Sequence, residues 1–179
     1  MNQAEQDLLV LTAQDGNHRA FGLLVKLYHN KLYGFAFKLT SNRDVANDAV
    51  QNAWLKASKN LRKLKDPRAF KSWIYRLVRW SALDLVKKSN HDKKVLEEFY
   101  NEDFFSNEIE NEFANSGLAE LIEKLPNIEK QIIHLFYLDE LTIKELSIIL
   151  EIPVGTVKSR LFRARNLLKE TVLSTGELL

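Results

Sequence analysis

The chain contains no cysteine and very little glycine or proline. The absence of cysteine excludes disulfide bonds, thiolate zinc sites and cysteine nucleophiles. Six glycines and three prolines in 179 residues leave few points where a helix must end. No run approaches the roughly 18 consecutive apolar residues that a membrane-spanning helix requires, and the N-terminus has no signal-peptide pattern. We therefore expect a cytoplasmic protein that does not insert into a membrane.

The residues that are present favour an all-α fold. Apolar residues recur mostly at three- and four-residue spacing, and no segment shows the alternation of a half-buried strand. Hydrophobic residues make up 45% of the chain, which is enough for one domain or two small helical ones. The net charge of +2 says little about a partner, so the distribution of charge matters more than its total.

A strongly acidic segment divides the sequence. Residues 89–116 hold eight acidic and two basic side chains, a net charge of −6. This composition is typical of a linker. We therefore predict two small helical domains, over 1–88 and 117–179, joined by an acidic linker over 89–116. The linker also contains five aromatic residues, more than an inert spacer needs, so we expect it to dock onto a partner or onto its own domains.

The C-terminal part has the pattern of a helix-turn-helix. Thr142 and Glu145 have the spacing of a capping box, which starts one helix, and Pro153 suits the first position of a second helix. Five residues of the second helix share one face and are predicted to pack inward: Val154, Val157, Leu161, Ala164 and Leu168. Small polar and basic residues occupy the opposite face and its flanks: Thr156, Lys158, Ser159, Arg160, Arg163 and Arg165. Small side chains let a helix enter the major groove and basic ones bind phosphates, so we predict duplex DNA binding here. A solvated amphipathic helix is the alternative.

A second basic concentration, residues 67–88, is interleaved with aromatic side chains. Phe70, Ile74, Leu77, Ser81 and Leu85 are predicted to face inward, and Ser72, Tyr75, Arg76, Arg79 and Lys87 to face outward. Flat rings beside cations suit the stacking of unpaired bases and the binding of their backbone. The predicted single-strand site consists of Arg68, Lys71, Trp73, Tyr75, Arg76, Arg79 and Trp80. The alternative is that both tryptophans are core residues.

The segment "DVANDAVQNAWLKA", residues 44–57, divides into two faces. Ala46, Val50, Ala53, Trp54 and Ala57 are predicted to be core. The other face carries acidic and amide side chains with a leucine at its end: Asp44, Asn47, Asp48, Gln51, Leu55 and Ser58. Such a face suits docking to a basic protein surface, although it could also be a solvated face.

No catalytic, metal or cofactor site is predicted. Asp44 and Asp48 could form a catalytic carboxylate pair, but no histidine, glycine-rich loop or third ligand lies near them in sequence. The four histidines are scattered along the chain. We therefore expect a protein that is not an enzyme.

Taken in order, these segments resemble the small extracytoplasmic-function (ECF) group of bacterial RNA polymerase sigma factors. The resemblance rests on "DVANDAVQNAWLKA", "FKSWIYRLVRWSALDLVKK", an acidic linker, "LIEKLPNIEKQIIHLFYLDELTIKELSIIL" and "VGTVKSRLFRARNLL". It extends from about Phe21 to Glu170.

The resemblance implies a transcription initiation factor whose partners are core RNA polymerase and promoter DNA. Asp44, Asp48 and Gln51 would dock on the clamp helices of the β′ subunit, and residues 125–141 would sit on the flap of the β subunit. The loop "KNLRKLKDPRAF" and the helix after it would open the minus-ten promoter element and capture a flipped base. The helix-turn-helix would bind the minus-thirty-five element as duplex. The acidic linker would thread the nucleic-acid channel, and an anti-sigma factor is a candidate inhibitor.

Three positions depart from the family pattern. Asn47 and Asn52 make the docking helix less acidic than is usual. Trp80 stands where the family commonly has asparagine, which puts a polar base contact there in doubt but leaves stacking open. Pro153 replaces a residue that is often a capping serine.

Two other classes of protein remain as alternatives. A stand-alone helix-turn-helix regulator with an N-terminal sensor domain would explain the C-terminal part. It would leave Trp73, Tyr75, Trp80 and the acidic face unused. A helical adaptor that binds no nucleic acid would show no response to DNA competitors.

Overall fold

The structure is a computed structural model that describes residues 2–97, 121–122 and 124–175. The described residues contain helices and turns and no strand, so the predicted all-α fold is confirmed. The chain divides into two compact units, one consisting mainly of residues up to 92 and the other mainly of later residues. Within the described ranges, none of the helices combines the length and the apolar character needed to span a bilayer.

Four helices build the N-terminal unit. They are α1 (Gln3–Gln14), α2 (His18–Thr40), α3 (Arg43–Asn60) and α4 (Phe70–Glu97). Two 3₁₀ turns, Leu61–Lys63 and Pro67–Ala69, lie between α3 and α4. The backbone of α4 continues through residues 89–97, the first part of the predicted linker, because no glycine or proline interrupts it there. The rest of the predicted linker, residues 98–116, lies outside the described residues.

Asparagine side chains fix the starts of the first three helices. Asn2 and Glu5 form a capping box at α1, and the Asn17 side chain accepts a hydrogen bond from the backbone N–H of Ala20 in α2. The Asn42 side chain accepts from two backbone N–H groups in the first turn of α3. Each cap satisfies donors that have no partner within the helix, so the start of each helix is defined.

The core of the N-terminal unit is aromatic. Helix α2 packs against both α1 and α3. Three of its aromatic rings pack edge-on or tilted against rings of α3 and α4. The distances between ring centroids are 5.8 Å for Phe21 and Trp54, 5.5 Å for Tyr28 and Phe70, and 5.6 Å for Phe35 and Tyr75. All five predicted core residues of α3, from Ala46 to Ala57, are buried. The opposite face of α3 is therefore free of the core, as predicted.

The C-terminal unit contains a helix-turn-helix. Among its residues from 124 to 175, the helices are α5 (Asn127–Ile133), α6 (Ile143–Leu150) and α7 (Val154–Thr175), with a π-helical turn over His134–Leu138. The predicted capping box is present at the start of α6, where Thr142 and Glu145 bond reciprocally. Helix α6 ends at Leu150 and is capped by Glu151, which has a left-handed backbone. Helix α5 packs against α7.

The inward stripe of α7 differs from the prediction at its first residue. Val157, Leu161 and Ala164 are buried, but Val154 is exposed. Side chains in a helix tilt toward its N-terminus, so the side chain of the first residue points past the end of α7. Pro153 lies immediately before α7 rather than at its first position, where its fixed φ still suits the start of a helix.

Candidate functional surfaces

The acidic face of α3 is exposed. Five of its residues form what we call the docking face: Asp44, Asn47, Asp48, Gln51 and Leu55. Asp44 lies in the first turn of α3, where a negative charge also interacts favourably with the helix dipole. The docking face offers carboxylates and amides for hydrogen bonds and one exposed leucine as an apolar anchor. This combination fits a basic partner surface with an apolar groove.

Helix α4 carries one clearly exposed aromatic ring. Trp80 is 38% exposed, and the guanidinium carbon of Arg76 lies 4.9 Å from the centroid of its ring. Such a cation–π contact orients the ring and leaves positive charge beside it. Trp73 is only partly exposed and packs 6.1 Å from the Phe70 ring. Trp80 is therefore the better stacking platform of the two tryptophans.

The prediction that Tyr75 and Ser72 face outward is wrong. Tyr75 is fully buried, with its ring tilted against that of Phe35 in α2. Ser72 is also buried, and its hydroxyl donates to the carbonyl of Ala69. The inward stripe of α4 is wider than a single-helix wheel suggests, because α2 supplies aromatic partners on that side. Tyr75 is a core residue and cannot stack on a base.

Arg68 is bound to a neighbouring carboxylate. Its guanidinium donates twice to Asp66, with both nitrogen–oxygen distances 3.0 Å, and the Asp66 carboxylate also accepts from the backbone N–H of Arg68. The hydrogen bond from the Arg68 side chain lowers the pKa of Asp66 from its ordinary value. Arg68 therefore stabilises the turn before α4, and part of its charge is balanced there.

Helix α7 presents small and cationic side chains to solvent. Lys158, Ser159, Arg163 and Arg165 are exposed and Thr156 is half-buried; together with Arg160 they form what we call the recognition face. Phe162 also lies exposed between these residues. The small residues are at the N-terminal end of α7, where a helix can approach base edges closely.

A buried carboxylate that the sequence analysis did not single out lies behind the recognition face. Glu129 of α5 is only 1% exposed, and its Oε1 lies 3.1 Å from Nη1 of Arg160 and 3.9 Å from Nε of Arg163. A buried carboxylate is stable only when it is paired. Its spacing from Ile132 and Ile133 was a usable signal, because three- and four-residue spacing places Glu129 on the same inward face as these two buried residues.

Arg165 is held by two aromatic rings. Its Nε donates to the Tyr137 hydroxyl at 2.6 Å, and its guanidinium carbon lies 5.8 and 5.6 Å from the ring centroids of Phe136 and Tyr137. Both rings belong to the π-helical turn. The structure thus ties two arginines of the recognition face, Arg160 and Arg165, to the first half of the C-terminal unit.

The described part of the chain contains no group of three or more histidine, aspartate or glutamate side chains that could hold a metal ion. His134 is buried with its Nε2 3.4 Å from Oδ2 of Asp139, within the C-terminal unit. The predicted site residues lie on α3, on α4 with the turn before it, and on α7.

Comparison with known proteins identifies the family of the chain. The family model for Sigma-70 region 2 matches residues 24–91, and that for Sigma-70 region 4 matches residues 117–168. The ECF RNA polymerase sigma-E factor of Haemophilus influenzae is 30% identical over 183 residues, covering 95% of this chain and 96% of that protein. The ECF RNA polymerase sigma factor SigW of Bacillus subtilis is 30% identical over 169 residues, covering 87% of this chain and 90% of that protein. The chain therefore belongs to the ECF RNA polymerase sigma factors.

Solved structures share the fold. CnrH, in its complex with the cytosolic domain of CnrY, matches with a TM-score of 0.68 at 24% identity, covering 94% of this chain and 97% of that one. The sigma factor RpoE of Bartonella quintana, in its complex with the anti-sigma factor NepR, matches with a TM-score of 0.69 at 22% identity, covering 84% of this chain and 94% of that one.

Proposed function

We propose that this protein is an alternative sigma factor that directs RNA polymerase to specific promoters and has no chemistry of its own. The observation that carries the proposal is the extent of the similarity, which covers 95% of the chain and includes both region 2 and region 4. Catalysis belongs to the polymerase that the protein recruits. The site of action is the cytoplasm, where the polymerase and the chromosome are.

The docking face binds the clamp helices of the β′ subunit. Three properties of the face support this role: its side chains are exposed, its charge is negative, and Leu55 supplies an apolar anchor beside the polar groups. The segment around α5, residues 125–141, contacts the flap of the β subunit in the same complex.

Helix α4 and the loop before it open the minus-ten element. Trp80 offers an exposed ring for stacking, and the Arg76 guanidinium beside it supplies charge for the backbone of an unpaired strand. Lys71 and Arg79 extend this cationic surface along α4, and Arg68 lies at its start. Trp73 contributes its partly exposed edge.

The recognition face of α7 binds the minus-thirty-five element in the major groove. Thr156 and Ser159 lie close to the base edges, and Lys158 and Arg163 bind phosphates or bases. Arg160 and Arg165 also keep α7 in place through Glu129 and Tyr137. The two basic surfaces would bind DNA without regard to sequence if both stayed uncovered, so we include an anti-sigma factor among the proposed partners.

A stand-alone regulator is not favoured. Such a protein would resemble sigma factors only in its helix-turn-helix and would have a sensor domain before it, whereas the similarity to sigma factors also covers residues 24–91. It would also have no use for the docking face.

Run-off transcription with core RNA polymerase tests the proposal. Adding the protein to polymerase and fragmented genomic DNA is expected to produce new, discrete transcription starts. These starts should be lost when Lys158 and Arg163 are both replaced by alanine, and they should persist in the matched Lys144→Ala control, which removes an exposed charge from α6.

The docking face is tested in the same assay. Asp48→Lys should abolish both polymerase binding and the new starts, whereas Glu170→Lys makes the same charge change at an exposed position of α7 outside the recognition face and should have no effect. An absence of new starts with the unmodified protein, together with tight and sequence-specific duplex binding by the protein alone, would contradict the proposal.

A further inference from the structure

The C-terminal end of α1 is bonded to the loop between α3 and α4. The side-chain amide nitrogen of Gln14 lies 2.9 Å from the carbonyl oxygen of Leu61 and 2.7 Å from that of Leu64, and donates to both. These partners lie 47 and 50 positions further along the chain. Gln14 is half-buried and lies outside residues 24–91, the part that the region 2 family model matches.

The loop bonds back to α1. Nε of Arg62 donates to the backbone carbonyl of Gln14 at 3.0 Å. Gly16, at the corner after α1, has a φ of +94°, a backbone conformation that favours glycine, and lies next to the Arg62 guanidinium. Helix α1 also packs against both 3₁₀ turns of the loop. The contact is therefore reciprocal.

These bonds determine which parts of the loop reach solvent. Leu61 is buried, and the carbonyls of Leu61 and Leu64 bind the Gln14 amide. Lys63 and Lys65, on either side of Leu64, are exposed. Within the loop itself, the backbone N–H of Leu64 donates to the Leu61 carbonyl and that of Ala69 to the Asp66 carbonyl, which closes two short turns. Turns of this kind are weak on their own, so the shape of the loop depends on its contacts with α1.

We propose that Gln14 is a positioning residue for promoter opening, which holds the loop over residues 61–69 in the conformation that presents its cations to the minus-ten element. This inference rests on the proposed function, which assigns the loop and α4 to that element. A loop that is already ordered binds the opened strand without the entropy cost of becoming ordered at that moment. A loop freed from α1 has to be ordered at the moment of opening, so opening becomes slower.

An amide at position 14 suits the two carbonyls that it binds. A primary amide carries two donors, and here one uncharged group serves two carbonyls. A carboxylate has no donors and would repel the same oxygens, and asparagine is one methylene shorter. Methionine has a similar length and shape but cannot donate, so Gln14→Met removes both hydrogen bonds with little change in volume.

The experiment compares two templates with the reconstituted holoenzyme. On a duplex promoter found in the run-off assay, Gln14→Met should slow strand opening on the order of tenfold, since two hydrogen bonds to the loop are lost. Permanganate reactivity of unpaired thymines reports the opening. On the same promoter with a pre-opened minus-ten region, the variant should transcribe at the wild-type level, and its affinity for core polymerase should be unchanged.

The matched control is Gln3→Met, on the same helix. The Gln3 amide donates only to Asp7 one turn away and is exposed, so its loss should leave opening unaffected. If Gln14→Met does not fold by circular dichroism, Gln14→Asn replaces it, because it keeps the amide but cannot reach both carbonyls.

Three outcomes are distinguishable. If the wild-type protein gives no promoter-dependent starts, the proposed function fails. If the wild-type protein is active and the Gln14 variant opens duplex DNA at the same rate, the positioning role alone is refuted. Equal losses on duplex and pre-opened templates would also refute it, because they would indicate general damage to the N-terminal unit.

Discussion

Replacing Arg160 by alanine should destabilise the C-terminal unit in addition to weakening DNA binding. Glu129 is 1% exposed, and Arg160 is its nearer cationic partner at 3.1 Å. Removing one partner of a fully buried ion pair costs about 3–5 kcal/mol, because a charge is left without compensation. Here the cost is smaller, since the Arg160 side chain is 39% exposed and Arg163 lies 3.9 Å away as a second partner. We expect a loss of about 1–3 kcal/mol in the free energy of unfolding.

Arg163→Ala provides the comparison. The Arg163 side chain is 66% exposed and lies beyond hydrogen-bonding distance of Glu129, so its removal should change stability by less than about 0.5 kcal/mol. Both variants should weaken DNA binding. The difference in unfolding free energy between the two variants therefore separates the structural role of Arg160 from its role in DNA binding.

The assay is thermal unfolding of the full chain, with hydrogen exchange measured at the amides of α7. Arg160→Ala should lower the melting temperature of the C-terminal unit by roughly 5 °C or more. Adding Glu129→Gln to Arg160→Ala removes the stranded charge and should recover part of this loss, as a double-mutant cycle will show. The reasoning is refuted if Arg160→Ala is no more destabilising than Arg163→Ala, or if the second substitution recovers nothing.

Two further predictions concern α4 and its start. Tyr75→Ala should lower the free energy of unfolding by about 3–5 kcal/mol because the ring is fully buried. Trp80→Ala should lower it by less than about 1 kcal/mol and yet abolish opening of the minus-ten element. Denaturant unfolding measures the stability and permanganate footprinting measures the opening; equal losses of stability in the two variants would contradict the assignment of Tyr75 to the core and Trp80 to the surface. Arg68 lowers the pKa of Asp66 below its ordinary value of 3.8. The contact between the two side chains should therefore be present at neutral pH and be lost only as the pH falls through that lowered pKa. An NMR titration of the Asp66 carboxyl with a midpoint at or above 3.8 would show that the contact is absent in solution.

Local features of the chain were predictable because they depend on residues close together in sequence. Helical periodicity separated the two faces of α3, and the exposed residues of the docking face are those predicted. The capping box at Thr142 depends on a partner three positions away and was confirmed. The helix-turn-helix likewise follows from a cap, a turn and an apolar stripe within about thirty residues.

The sequence by itself therefore determined the all-α fold, the capping box of α6 and the resemblance to a sigma factor. Only the tertiary structure decided which polar and aromatic residues are internal. Tyr75 is buried because α2 brings Phe35 against it, Glu129 pairs with an arginine 31 positions away, and Gln14 binds a loop 47 to 50 positions away. A wheel drawn for one helix shows which side chains share a face. It does not show how much of that face a neighbouring helix covers, because this depends on packing between distant segments.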